Sequence, residues 1–224
     1  MVVVSIDGID AAGKTTLAKL LVENSNLNFV VVESSRRKDL LPEVREYLNQ
    51  NIKDNIIARF LYFSFASLLA SNEAIEHTNA GKNVILDRSF YSTIAHHRAF
   101  DRYYCNGEHL KMIIDKLSKA IEKRMVKPDV AVFLYVDEKE RVKRLQIRDD
   151  SQNNKLDEES TAQAYAQEEF RNIAARLKEE NIVKVVEIDT TYLNKQEVEK
   201  IVENYIKNIV LEKISTWNKV ALRA

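Results

Sequence analysis

Two of the four glycines in this chain, Gly8 and Gly13, stand five residues apart and lead directly into Lys14 and Thr15. Together they write Gly8-Ile9-Asp10-Ala11-Ala12-Gly13-Lys14-Thr15, a full match to the phosphate-binding pattern G-x-x-x-x-G-K-S/T. At average residue frequencies such a match arises by accident in about one chain in a hundred of this length. Its surroundings narrow the odds. Val2-Val3-Val4-Ser5-Ile6 is a β-branched run of buried-strand type, and Leu17, Ala18, Leu20 and Leu21 follow at helical spacing. In a strand–loop–helix unit the backbone N–H groups and the positive helix end converge on phosphate oxygens. Lys14 adds a point charge beside the transferring group, and the Thr15 hydroxyl is a ligand of the kind Mg²⁺ takes. A plain strand-to-helix turn would account for a glycine but not for the Lys-Thr pair behind it.

Bulk composition sets outer limits. A chain of 224 residues can bury one good core without needing a second domain. Lys plus Arg and Asp plus Glu both number 34, so no net field draws nucleic acid or an anionic membrane. Cys105 is the only cysteine, which rules out an internal disulfide and suits a reducing compartment. The first strand begins almost at once, so no signal peptide is expected. The longest apolar stretch, 56–70, is interrupted by Arg59, Ser64 and Ser67 and is too short and polar to span a bilayer. The expected setting is cytoplasmic, with small molecules as partners and neither nucleic acid nor membrane.

Short β-branched runs at 29–33, 83–87, 131–136 and 183–188 alternate with amphipathic segments. Those segments cover 41–50, 55–79, 92–103, 109–124, 138–148, 160–180 and 195–217. Alternation of this kind predicts right-handed crossovers and an α/β fold. The expectation is a P-loop NTPase three-layer sandwich: a five-stranded, mainly parallel sheet with helices on both faces. One domain over 1–224 is expected, with ligands at the carboxyl ends of the strands. The polar stretch 149–159 has Leu156 as its only apolar anchor and reads as a mobile loop.

A second constellation ends the third strand, Asn83-Val84-Ile85-Leu86-Asp87-Arg88-Ser89. A carboxylate at a neighbouring strand's end commonly helps hold Mg²⁺ in phosphate-loop proteins, and an arginine beside it can grip a phosphate bidentately. At this point the chain resembles the thymidylate kinase family of nucleoside monophosphate kinases. Its loop G-I-D-A-A-G-K-T-T carries an acid at the third position, as that family's does. Asp87-Arg88, with Ser92 and Ala95 following, is similar to the family's D-R-Y-x-x-S-x-x-A-Y-Q. Phe63 matches the phenylalanine that stacks on the acceptor base, and Arg141, Arg144 and Arg148 look like an arginine-bearing lid at about 141–159. Three departures stand out. Val32-Glu33-Ser34-Ser35-Arg36-Arg37 replaces R-E-P-G-G-T, Ser67 replaces the arginine that reads the thymine edge, and His96-His97 replaces Tyr-Gln. The phosphate machinery looks intact while the base-reading side is rewritten, so the acceptor base need not be thymine.

From residues and resemblance together, Gly8, Ala11, Ala12, Gly13, Lys14, Thr15 and Thr16 would bind the phosphates of ATP, with Thr15 and Asp87 on Mg²⁺. Arg88 would hold the acceptor phosphate, helped by Arg36 or Arg37, and Asp10 would meet the acceptor sugar or a metal-bound water. Glu33, Phe63 and His96 complete the acceptor side. With alanines at positions 11 and 12, the extra cation must come from the lid, as Arg144 or Arg148. The long segment 55–79 is apolar around much of its circumference, and the resemblance implies a homodimer.

Two other readings compete. Arg88-Ser89-Phe90-Tyr91-Ser92 is similar to the E-R-S-x-Y-S run of deoxynucleoside kinases, in which Glu33 would be the general base that a hydroxyl acceptor needs. A nucleotide-binding regulator without transferase activity is the other. A guanine-reading N-K-x-D would favour it, but Asn194-Lys195-Gln196-Glu197 lacks the final Asp.

Overall fold

The computed structural model describes residues 1–35, 37, 39–105, 107, 110–147 and 160–221, with side chains as far as 213 in the last helix. Five strands alternate with eight helices among these residues. The order is β1 (Val3–Gly8), α1 (Lys14–Asn24), β2 (Phe29–Glu33), α2 (Pro42–Gln50), α3 (Ile56–Asn79), β3 (Asn83–Asp87), α4 (Phe90–Cys105), α5 (Lys111–Glu122), β4 (Val130–Tyr135), α6 (Glu138–Ile147), α7 (Ser160–Glu180), β5 (Lys184–Asp189) and α8 (Lys195–Ala221). The strands form one sheet in the order β2-β3-β1-β4-β5, and every neighbouring pair is parallel. Helices α1 and α8 pack together on one face, while α3, α4 and α7 cover the other.

Burial explains which strands sit in the middle. All six residues of β1 and of β4 are buried, because both strands lie inside the sheet and are covered on both faces. The edge strand β5 alternates buried and open positions instead. On α3 the small residues Ala66, Ala70 and Ala74 recur every fourth position and let the helix lie close to β3. Ala70 and Ala74 pack there with Val84 and Leu86. Arg141 on α6 is completely buried and pairs with Glu138 at 2.7 Å. It is a structural ion pair rather than an open helix-face charge.

Element ends follow the periodicity to within a few residues, and the exceptions have local causes. Helix α4 begins at Phe90, two residues before the expected start. Its entry is fixed by Asp7, a fully buried carboxylate on β1. Asp7 accepts hydrogen bonds from the Ser89 N–H at 2.8 Å, the Ser89 hydroxyl at 2.8 Å and the Ser92 hydroxyl at 2.6 Å. The mobile-loop expectation for 149–159 falls outside the described residues.

Gly8 closes β1 at φ +148°, where an added Cβ would lie 2.3 Å from the Leu134 carbonyl oxygen of β4. The two central strands can come together here only without a side chain. Gly8→Ala is expected to lower the unfolding free energy by about 3–5 kcal/mol, read as the shift in urea midpoint. Gly13 has nothing within 4 Å of the same construction, so Gly13→Ala carries only its backbone cost of about 1–3 kcal/mol at φ +99°. Equal losses for the two variants would contradict the packing account.

Candidate active site

The parallel register sets the site. Ile6 on β1 pairs with Asp87 on β3, and Glu33 on β2 pairs with Asp87 from the other side. The loop after Gly8 and the Asp87-Arg88 turn therefore emerge side by side, with Glu33 as neighbour. Gly13 adopts φ +99° at the N-cap of α1, and Ala11 holds φ +61°, so two left-handed residues curl the loop into the helix. Lys14 is nearly buried; its Nζ rests 2.5 Å from the Ile9 carbonyl and 3.9 Å from Asp10 Oδ1. Thr15 Oγ1 donates to Asp87 Oδ2 at 2.9 Å. A pocket lined by Asp10, Gly13, Lys14, Thr15, Glu33 and Asp87 opens at this junction. The Thr15 hydroxyl and the Asp87 carboxylate, already in contact, are oxygen donors of the kind that suits Mg²⁺.

On the far side of the loop a cavity of about 420 Å³ runs past Ala12, Thr16 and Leu17 toward Arg144, Thr190 and Lys195. Arg144 is tied to both of its walls. Its Nη1 donates to the Ala11 carbonyl at 3.2 Å, its Nη2 donates to the Thr190 carbonyl at 2.6 Å, and its Nε pairs with Glu140 at 2.9 Å. Thr190 Oγ1 also lies 3.3 Å from the Ala12 carbonyl. Thr190 belongs to no spaced motif, and Lys195, at the start of α8, shows in the sequence only within the incomplete Asn194-Lys195-Gln196-Glu197 string. Arg148 and Arg36 lie outside the described residues. Arg37, named as an alternative to Arg36, is turned to Asp39 and Glu73 at 2.7 and 2.8 Å.

The third pocket lies between α3 and α4. Arg88 carries φ +67°, an uncommon backbone state for a residue with a side chain. Its N–H is held by the Ile6 carbonyl at 3.1 Å, and its guanidinium pairs with Asp10 and approaches His96 Nε2 at 3.2 Å. Phe63 and His96 line the same pocket, as do Arg45, Asn49 and Arg59. Arg59 was legible only as an interruption in an apolar stretch. Its guanidinium lies 4.7 Å from the ring centroids of both Phe63 and Phe100. It donates to Asn49 Oδ1 at 3.1 Å and lies 3.3 Å from His97 Nε2. His97 Nδ1 faces the Thr93 carbonyl at 2.6 Å and must donate there, which leaves Nε2 to accept from Arg59. Ser67 joins Ser34 and Thr93 in a buried set of hydroxyls at 3.1 and 3.2 Å.

Electrostatics keep these groups in fixed states. Burial pushes the His96 imidazole down to about 3, and the Arg88 charge adds to the effect. Burial and then the Arg59 charge hold His97 well below its usual value. Burial alone would raise the Asp10 carboxyl, but Arg88, Lys14 and His96 outweigh it and keep it far below the usual carboxylate range. All three groups bind protons more readily once the chain unfolds, so acid favours unfolding. Stability is expected to fall as pH drops below 6.5, the unfolded histidine value, with Asp10 joining only below about 3.8. The upper limit is about 1.4 kcal/mol per pH unit for each histidine. Urea unfolding at pH 7.5 and 5.5 checks this, and His96→Gln should flatten the dependence. A stability unchanged between the two pH values would refute it.

Comparison with known proteins bears on what this arrangement is. The sequence profile described as thymidylate kinase matches residues 6–202. The probable thymidylate kinase of Thermococcus onnurineus is 30% identical over 191 residues, spanning 80% of this chain and 86% of that protein. That of Methanocaldococcus jannaschii is 27% identical over 209 residues, spanning 91% and 94%. Among solved structures, thymidylate kinase from Candida albicans superposes with a TM-score of 0.75 at 22% identity, covering 92% of this chain and 91% of that one. Deoxyadenosine kinase from M. mycoides gives a TM-score of 0.68 at 16% identity, covering 92% and 100%, a likeness of fold. The extent of the profile match, taken with these relatives, settles the kinship: the chain belongs to the thymidylate kinase family.

Proposed function

We propose that this protein transfers a phosphoryl group from ATP to a nucleoside monophosphate, using the loop pocket for the donor phosphates and the α3–α4 pocket for the acceptor. The observation that carries the reading is the placement of Arg88. It stands between the Lys14 loop and the Phe63 pocket, where an acceptor phosphate would have to lie for in-line transfer. Gly8, Ala11, Ala12, Gly13, Lys14, Thr15 and Thr16 would bind the donor phosphates, and the cavity bounded by Arg144, Thr190 and Lys195 would take the rest of that nucleotide. Thr15 and Asp87 would hold Mg²⁺, which neutralises charge on the phosphates when bound. Lys14 and Arg144, with Arg148, would offset the charge that develops during transfer, and Asp10 keeps Arg88 aimed. Lys14 now rests on a backbone carbonyl, a weak partner that an anionic phosphate displaces.

On the acceptor side, Phe63 would stack on the base and His96 would help position Arg88. Arg59 supplies the charged donor that Ser67 lacks, reaching the base edge from one turn before Phe63 rather than one turn after it. A guanidinium fixed by Asn49 and His97 suits a base edge that presents acceptor oxygens or nitrogens. Arg36 would assist at the acceptor phosphate. Glu33, at the same junction as Thr15 and Asp87, favours a second reading in which it acts as general base toward a nucleoside hydroxyl.

We further propose a cytoplasmic homodimer joined through α3, whose outer face exposes Leu61, Phe65 and Ile75 along one line. Light scattering is expected to give twice the chain mass, and Phe65→Glu to give the monomer. A native protein already monomeric would end that part of the proposal.

Coupled measurement of ADP release against nucleosides and nucleoside monophosphates, ribo and deoxy, tests the reaction. Turnover is expected with monophosphates only. Lys14→Met should lower kcat by about 10²–10³-fold. Arg59→Ala should raise the acceptor KM by about tenfold or more while leaving the ATP KM in place. Turnover on nucleosides alone, abolished by Glu33→Gln, would hand the case to the second reading.

A further inference from the structure

A cavity of about 440 Å³ lies beyond the two substrate pockets, against the α3–α4 face of the sheet. Its walls are mostly apolar, with Ala70, Leu86, Phe90, Leu177 and Val183 among them. It extends from Ser67 and Arg88, behind the acceptor pocket, to Pro128 and Ile182 at the opposite ends of the strands. None of the roles assigned above uses it.

Two features make it a built site rather than a packing gap. Tyr91 lines it, and that side chain is only 6% exposed. Its hydroxyl is not among the sealed, unpartnered polar atoms of the described residues, so it is open to the cavity and can donate to a ligand there. Burial and the nearby Glu122 raise its phenol above the ordinary tyrosine value, so it stays a donor. The mouth is cationic: Lys119, Lys123 and Lys127 line it, each exposed and none ion-paired among the described residues. The other charges there are largely matched, since Arg176 pairs with Glu122 at 2.8 Å and with Glu180 at 3.4 Å.

We propose that this cavity is an effector site for a small aromatic or alicyclic molecule bearing one anionic group. The ring system would fill the apolar interior, an acceptor atom would take the Tyr91 hydroxyl, and the anion would remain at the lysine mouth. The size falls within the range of small-molecule pockets, about 300–1,000 Å³. The cavity also touches the machinery. Arg88 lines both this space and the acceptor pocket. The Tyr91 N–H donates to Ser89 Oγ at 3.2 Å, and Ser89 is the residue that Asp7 clamps. Occupancy is therefore expected to alter acceptor affinity, a consequence that rests on the kinase reading as the binding itself does not.

The test is a fluorescence titration of the full chain with 8-anilinonaphthalene-1-sulfonate, which carries the stated chemistry. Saturable one-to-one binding is expected, about tenfold tighter than for its uncharged analogue N-phenyl-1-naphthylamine. The surface triple Lys119→Glu/Lys123→Glu/Lys127→Glu, which leaves the core untouched, should weaken it about tenfold. At saturation the dye should shift the acceptor KM and leave the ATP KM unchanged. Complete competitive displacement by ATP or by a nucleoside monophosphate, as opposed to a saturable shift in dye affinity, would overturn the site, as would non-saturable binding or unchanged affinity in the lysine triple variant. Full occupancy with an unmoved acceptor KM would overturn the coupling. Inactivity toward every acceptor would count against the proposed reaction, while the titration would still decide the site.

Discussion

The parallel pairing of β1 with β3 is the constraint from which the rest of the site follows. It brings the end of one strand, where the glycine loop starts, beside the end of another, where Asp87 and Arg88 stand. A buried carboxylate then locks the junction. Asp7 accepts three hydrogen bonds from Ser89 and Ser92, so the turn that carries Arg88 cannot drift relative to the loop. A buried polar group with no exposure is tolerable only when its hydrogen bonds are satisfied in this way. Arg88 keeps its left-handed backbone because the Ile6 carbonyl and Asp10 hold it from two directions.

Charges in the site are arranged so that few of them wait unpaired. Lys14 leans on a backbone carbonyl, Asp10 pairs with Arg88, and Arg144 spans the loop and Thr190. These contacts hold the side chains near the positions a phosphate would require, which reduces the ordering needed when substrate arrives. The two histidines act as neutral spacers beside arginines rather than as titrating groups. In the pocket between α3 and α4 one small side chain has a wide effect. Ser67 leaves room for a hydroxyl cluster, and the nearby guanidinium comes from Arg59 instead.

Much of the fold could be read from the chain. Each strand and helix lies within a few residues of where periodicity put it, because apolar spacing directly reports which face is buried. The loop and the Asp87-Arg88 turn were equally legible, since chemistry bound to contiguous residues leaves a local pattern. Asp7, Arg59, Asn49, Thr190 and Lys195 were not. Each acts through partners far away in sequence, as when Asp7 meets Ser89 across 82 positions. In the sequence Arg59 shows only as a polar interruption of an apolar stretch, whereas the fold turns it onto Phe63 and Phe100.

The sequence by itself determined the α/β alternation, the phosphate-binding loop and kinship with one kinase family, because those depend on local spacing and side-chain type. Only the tertiary structure decided which strands became neighbours, which arginine lay over Phe63, and that an apolar cavity backs onto the pocket between α3 and α4. Those outcomes depend on sheet order and helix rotation, which are set by the packing of the whole core and leave no mark in any single stretch of chain.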